Sequence, residues 1–402
     1  MKLNICLLHE DPFTKDMPAR PAITEIYGEY FPDFGHNVTW VTPTIIKDKK
    51  IKHHKFKKVN VYSVPFNQND NISKKIISFF SHYYKTYKFL KKMFKSDKFD
   101  IIQVRNNVYY SLIGIRIAKK YKIPFIFQYS FPTAKYKKQT QNKWYLSLEG
   151  RIEELLTKHI LKKADFIFPI SKWMKNDLLK QNVPEKKMMA IPLGINHKKF
   201  YSKTNGEKIR KKYNLNNSNV ILYAGSMDKT RRLDIIIKAF LKIENKKNKL
   251  IMVGEGNDID RLKKITKELS IKNIIFTGRV PYSEMPNFIA ASDICLCPVP
   301  PISIYKISSP TKLFEYMIMK KPIITNIEIP EQKNVIEKSK SGILVDFQEQ
   351  KFADAINKLL KTKKERKKLG ENGYKWVIQN RTYEKMAKNI EKKYLKLIKI
   401  KG

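Results

Sequence analysis

"ICLCPVPPISIYKISSPTKLFEYMIMKKPIITN", residues 294–326, holds a complete unit of alternating structure. "ICLCPVP" reads as a buried strand and "KPIITN" as another, while "SSPTKLFEYM" between them has helical periodicity. Strands joined through a helix run parallel, and a sheet built that way is covered on both faces. The pattern extends in both directions. "NVILYAGSM", "KLIMVGEG" and "NIIFTGRV" precede it from residue 219, and "SGILVD" follows it. Nearer the N-terminus, "LNICLL", "NVTWVTP", "VNVYSVPF", "FDIIQV", "IPFIFQYS" and "DFIFPIS" form a similar series. Two series predict an α/β protein of two doubly wound parallel-sheet domains.

The periodic pattern breaks in "IPLGINHKKFYSKTNGEK", where Pro192 and Gly194 introduce an Asn-rich stretch. This predicts a first domain over residues 1–193 and a second over 194–380. Residues 381–402 are expected to form a lysine-rich helix packing back toward the first domain. No long low-complexity linker intervenes, so the two domains are expected to face each other across a cleft.

Lysine and arginine number 81 against 37 acidic residues, a formal charge of +44 that favours anionic partners. Lys, Ile and Asn are abundant throughout, so compositional bias accounts for the excess equally well. Cys6, Cys295 and Cys297 make no disulfide framework and fit a reducing compartment. Cys295 and Cys297 alternate on one strand face, where core packing is expected rather than a metal, because the histidines are scattered. "MKLNICLLHEDP" is too short in its apolar run for a signal peptide, and no segment approaches the roughly 18–20 apolar residues of a membrane span. A cytoplasmic protein is expected, bound to a surface if "NISKKIISFFSHYYKTYKFLKKMF" is an interfacial helix. That reading puts Ile76, Phe80, Tyr83, Tyr87, Leu90 and Phe94 on one side and mostly lysines on the other. The alternative is a helix packed on its sheet with a solvated basic face.

In open parallel sheets, ligands bind beyond the carboxyl ends of the strands. In the second domain the loops there are "AGSMDKTRRLD", "GEGND", "TGRVPYSE" and "PVPPISIYKISSPTK". Ser309 suits a helix N-cap and Pro310 the first helical position, leaving the N–H groups of Thr311 and Lys312 to attract an anion. Leu313, Phe314, Met317 and Ile318 fall on one face, and Lys312, Glu315 and Met319 on the other. Glu315 lies ~4.5 Å along the axis from Lys312. An ionised Glu offers only acceptors, which suits paired hydroxyls such as those of a ribose. Phosphate at the helix tip and ribose one turn deeper is the layout of a nucleoside diphosphate. The competing account is an ordinary i,i+3 ion pair on a solvated face, worth roughly 0.2–0.5 kcal/mol.

"AGSMDKTRRLDIIIKAF", "LIMVGEGNDIDRLK", "IIFTGRVPYSEMPNFIAASDICLCP", "SSPTKLFEYMIMKKPIITN" and "SGILVDF" resemble, in order and spacing, the nucleotide-sugar domain of glycosyltransferase family 4. "ADFIFPISKWMKNDLLKQNVPEKKMMAIPLGINHKKF" resembles the segment leading into the interdomain linker of these enzymes. The resemblance implies a GT-B fold and transfer of a sugar, with retention of configuration, from a UDP- or GDP-linked donor. It implies no cofactor and no bound metal. By position, Glu315 resembles the glutamate that holds the donor ribose, and Arg231 a basic residue on the donor diphosphate. Arg231 and Lys312 are thus the expected catalytic residues, with Thr311 and Ser309 at the same helix start. Arg232 occupies a neighbouring glycine position, Gly225 and Ser226 resemble the diphosphate-facing loop, and Gly278, Arg279 and Val280 the nucleobase loop.

Three positions depart from the family. Ile307 stands where the first glutamate of the family's pair touches the donor sugar, Ser130 replaces a first-domain histidine, and "HEDPFTKDMPARPAI" lacks the usual glycine-rich loop. Sugar identity is left open by these changes. Glu10, Asp11 and Asp16 in that loop are candidate bases, although a solvated acidic loop explains them as well. The expected acceptor is a glycan or a lipid-linked or polymeric hydroxyl compound, with an anionic membrane surface as a further partner. A basic nucleic-acid-binding protein and an inactive nucleotide-binding scaffold are the other readings. The chain shows no zinc, helix-turn-helix or RRM signature for the former.

Overall fold

A computed structural model describes residues 1–14, 19–44, 50–66, 72–140, 144–201, 204–244 and 247–401. The chain divides into one unit of Met1–Pro192 with Tyr383–Gly402 and a second of Leu193–Thr382.

The first unit is built on β1 (Asn4–Leu8), β2 (Asn37–Thr44), β3 (Lys52–Phe56), β4 (Val59–Pro65), β5 (Ile101–Arg105), β6 (Phe125–Tyr129) and β7 (Phe166–Pro169). Their order is β3-β4-β2-β1-β5-β6-β7. Every neighbouring pair is parallel except β3 with β4. The second unit carries β8 (Val220–Ala224), β9 (Lys249–Val253), β10 (Ile274–Gly278), β11 (Ile294–Cys297), β12 (Ile323–Asn326) and β13 (Gly342–Val345). Their order is β10-β9-β8-β11-β12-β13, all parallel. Ile5, Cys6, Leu7 and Leu8 of β1 and Ile221, Leu222 and Tyr223 of β8 are fully buried, because helices cover both sheet faces. Cys295 and Cys297 are free thiols inside the second core.

Strand order reverses between β1 and β5 in one sheet and between β8 and β11 in the other. At such switch points adjacent loops leave in opposite directions and open a crevice at the strands' carboxyl ends.

The strand β3, "KHHKF", is absent from the sequence-based series. Its Lys and His residues give no apolar alternation, and it is an edge strand, where charge discourages pairing with other chains. Phe56, stacked on Trp40 at 5.4 Å, anchors it.

The Ile72–Ser96 helix also corrects an expectation. Its side chains are described from Ile77 onward, so the Ile76 assignment lies outside the described residues. Leu90, Met93 and Phe94 enter the core with Tyr83 and Tyr87 against it. The apolar face expected to meet a membrane is thus mainly the core face. Phe80 instead points outward, 64% exposed, beside Ile77 at 68% and Tyr84 at 63%. These three share one stripe at spacings of three and four residues, ahead of the exposed Lys85, Lys88, Lys91, Lys92 and Lys95.

The Tyr383–Lys401 helix belongs to the first unit. Tyr394 is fully buried and donates its hydroxyl to Gln103 of β5, whose amide in turn donates to Tyr27 at 2.7 Å and to Gln128 at 3.2 Å. His36 and Glu391 approach to 2.9 Å at the helix margin.

Candidate functional site

The loops that follow β8, β9, β10 and β11 meet near the β8/β11 switch point. Gly225, directly after β8, has φ +145°, and a Cβ there would lie 2.7 Å from Lys312 Nζ. Gly254 (φ +137°) is tighter still, since its Cβ would meet the Gly225 carbonyl oxygen at 2.0 Å. Only glycines let these backbones and the lysine share the space. Lys312 Nζ sits 4.0 Å from the Tyr223 ring centre, and the Tyr223 hydroxyl donates to the Ser226 carbonyl at 2.8 Å.

Arg231 Nε donates to Ser226 Oγ at 3.2 Å, and its guanidinium stacks over Tyr305 at 4.5 Å. Tyr305 is held in turn by Thr230, hydroxyl to hydroxyl at 3.0 Å. Arg232 diverges. It adopts left-handed φ 49°, which explains why a glycine suits the position, and turns its guanidinium to Phe347, 5.6 Å away. Arg231 is therefore at the crevice beside Ser226, while Arg232 flanks β13.

The helix runs Thr311–Ile318, one residue later than the expected start. Pro310 is at the cap position with extended backbone, and no side chain caps the helix. Ser309 is not the cap, because its Oγ accepts from the Leu193 N–H at 3.2 Å and also bonds Glu331. Leu313, Phe314, Tyr316 and Met317 are fully buried, each worth roughly 1.5–3 kcal/mol, and fix the helix on the sheet. The Tyr316 hydroxyl accepts from the Ala224 N–H at 3.0 Å, tying the helix to the end of β8.

Glu315 is not on a solvated face. It is 7% exposed, and its Oε1 accepts from the Tyr282 hydroxyl at 2.9 Å. Burial raises its pKa above the ordinary carboxylate value, while the Tyr282 bond and the nearby Lys312 charge oppose that shift. No ion pair joins Lys312 to Glu315 among the described residues, which removes the simple i,i+3 account. The two groups are instead separately oriented, a cation over Tyr223 and a carboxylate against Tyr282.

Gly278 ends β10 with φ +72° and accepts from the Gly254 N–H at 3.0 Å. Arg279 beside it is exposed and pairs with Glu255 at 3.1 Å, and Val280 is half-buried. Ile307 is half-buried at the end of the short Ser303–Lys306 helix. The structure thus brings Gly225, Ser226, Arg231, Thr311, Lys312 and Glu315 around one crevice, with the Gly278–Val280 loop two strands out from β8, beyond β9. Tyr223, Tyr282 and Tyr305 belong to it too. Their sequence signal is weak, because Tyr282 and Glu315 are 33 residues apart. A separate cavity of about 310 Å³, lined by Phe240, Asn248 and Asn273 among others, opens at the amino ends of β9 and β10, away from these groups.

In the first unit, Asp11 follows β1 and accepts from Arg20 Nε at 2.9 Å. Glu10 lines a cleft of about 230 Å³ with Phe66, Phe79, Tyr83, Tyr109 and Tyr110, and burial pushes its carboxyl up. Asp16 lies outside the described residues. Ser130, after β6, is 7% exposed, and its N–H donates to Asn106 Oδ1 at 3.1 Å.

Residues 205–376 match the family described as glycosyl transferases group 1, and residues 27–199 match glycosyltransferase family 4. An uncharacterized glycosyltransferase of Methanocaldococcus jannaschii is 27% identical over 401 residues, 97% of this chain and 94% of that one. Among solved structures, sucrose-phosphate synthase of Thermosynechococcus elongatus superposes with a TM-score of 0.77 at 19% identity, covering 99% of this chain and 100% of that one. An Anabaena HepE structure in complex with UDP-glucose gives 0.72 at 14% identity, covering 97% and 99%.

Proposed function

Because the chain belongs to the group 1, family 4 glycosyltransferases and has the GT-B fold, we propose that it transfers a sugar from a nucleoside-diphosphate donor to an acceptor hydroxyl, with retention of configuration. The donor binds the second unit. Glu315 accepts from the ribose hydroxyls, with Tyr282 holding its carboxylate in place. The diphosphate lies at the start of the Thr311–Ile318 helix, where the uncapped N–H groups of Thr311 and Lys312, the lysine charge and Arg231 converge with the Gly225–Ser226 turn. Gly278, Arg279 and Val280 border the nucleobase. Arg232 serves by shaping the turn, and Ser309 by fixing the chain before the helix. The observation that carries this reading is the Lys312 ammonium packed on Gly225 one helical turn from the buried Glu315 carboxylate.

In the reaction the bond from the anomeric carbon to the diphosphate oxygen breaks, and the acceptor oxygen bonds to that carbon from the same face. The acceptor proton passes to the departing phosphate. Negative charge grows on that phosphate, so preoriented N–H groups and Arg231 stabilise the transition state as an oxyanion hole does. These cations and the helix end offset the charge, and the reading assigns no cofactor or metal to the step. Release of nucleotide from donor plus acceptor, with the anomeric configuration of product read by NMR, tests it. No nucleotide release from any UDP- or GDP-sugar would sink the enzyme in favour of a nucleotide-binding scaffold.

The exposed Ile77, Phe80 and Tyr84 stripe, followed by five exposed lysines, supports peripheral binding to an anionic membrane and a lipid-linked acceptor. No helix among the described residues is long and apolar enough to cross a membrane. Binding at the inner face of the cell membrane is the location this reading assigns.

A further inference from the structure

The first unit has its own switch-point crevice, between β1 and β5, and a buried cation stands in it. Arg105 is the last residue of β5 and is only 7% exposed. Its Nη1 makes no hydrogen bond. Among the described residues the one carboxylate in ion-pair reach is Asp11, whose Oδ2 lies 3.8 Å from that nitrogen, too far for a hydrogen bond. Asp11 Oδ1 takes the 2.9 Å bond from Arg20, while Oδ2, the oxygen on the Arg105 side, is buried and makes no hydrogen bond among the described residues. Glu10 pairs with neither guanidinium among the described residues, and Glu153 is held by Lys137 at 2.9 Å and by the Thr133 hydroxyl. Ser130 Oγ, on the loop after the adjacent β6, is likewise buried and unpartnered.

A guanidinium has N–H donors in a planar fork and no acceptor, and a buried one is costly unless an anion meets it. Asp11 and Glu10 balance the two guanidinium charges at a distance, but neither hydrogen-bonds Arg105 Nη1, so that donor is left unmet. We propose that Arg105, supported by Arg20 and Ser130, binds an oxyanion, a phosphate or a carboxylate, carried by the acceptor. The aromatic cleft bordered by Glu10, Phe79, Tyr109 and Tyr110 also includes Asn107, two residues past Arg105, and takes the acceptor's uncharged part. Calling the ligand an acceptor rests on the transferase reading, whereas the anion site itself does not.

Titration calorimetry at low salt tests it with three probes: glycerol 3-phosphate, glucuronate and neutral methyl glucoside. Wild-type protein is expected to bind one or both anions at least tenfold more tightly than methyl glucoside, and the phosphate and carboxylate arms tell which group fits. Arg105→Gln should weaken the preferred anion at least tenfold and Arg20→Gln severalfold, while Arg231→Gln leaves it unchanged. The Arg20 side chain is 59% exposed, so that variant reports even if Arg105→Gln fails to fold. Anion binding absent from the wild type, equal to that of methyl glucoside, or lost in Arg231→Gln rather than in Arg105→Gln would overturn the proposal. If nucleotide fails to bind while the Arg105-dependent anion does, the donor reading falls and this one stands.

Discussion

At Glu315 a buried carboxylate has one described hydrogen-bond partner, Tyr282, and burial raises its pKa. As pH falls through that raised value, protonation removes an acceptor from the ribose site. Nucleoside affinity should therefore drop at a pH where an exposed glutamate is still ionised. Titrating uridine and guanosine, which lack phosphate, isolates this step, and Glu315→Gln should flatten it. The neighbouring arginines separate in the same way. Arg231 reaches Ser226 and Tyr305, whereas Arg232 reaches Phe347. Arg231→Gln should lower turnover by about 10²–10³-fold, the loss typical of one preoriented transition-state donor. Arg232→Gly should keep nucleotide affinity, and urea unfolding should change by less than about 1 kcal/mol, because relief of left-handed strain offsets the lost cation–π contact.

Among the elements, the Tyr383–Lys401 helix carries the clearest energetic consequence. Tyr394 is fully buried against Phe31, at 5.5 Å, and is joined through Gln103 to Tyr27 and Gln128. Tyr394→Ala should destabilise the first unit by about 3–5 kcal/mol through the cavity it opens. Tyr394→Phe should cost about 1–3 kcal/mol by leaving Gln103 short of a donor. Denaturant melts read both, and the second unit's transition should not move. For the Ile72–Ser96 helix, Phe80→Glu should reduce cosedimentation with anionic vesicles without lowering stability, since the ring is 64% exposed. Equal sedimentation of variant and wild type, or none by either, would remove the membrane reading. The strands of both sheets were legible because burial on two faces writes them as apolar runs. β3 was not, since "KHHKF" is an edge strand whose ring contacts come from His53, His54 and Phe56 rather than from an apolar run. The outward turn of Phe80 was missed because helical period alone gives an apolar arc without saying where the core ends.

For the whole molecule, the sequence carried the order of the parallel units and the residues of the second crevice, down to Lys312 and Glu315. What it did not carry are contacts between distant residues. Tyr282 with Glu315, and Arg105 with Asp11, join segments whose proximity only the sheet order creates. Arg105 was also hidden as a charged residue closing the apolar run "FDIIQV", where it reads as the strand's solvated end. The central claim is that the second unit holds a nucleotide through Glu315 and the helix start beside it. It is tested most directly by thermal unfolding of wild type and Glu315→Ala with UDP, GDP and their sugar conjugates. A ligand at one hundred times its Kd stabilises by about 2.7 kcal/mol, enough to shift a melting transition visibly. At least one nucleotide should raise the wild-type transition, with a clearly smaller shift in Glu315→Ala. No shift with any of them, or the same shift in both proteins, would contradict the account.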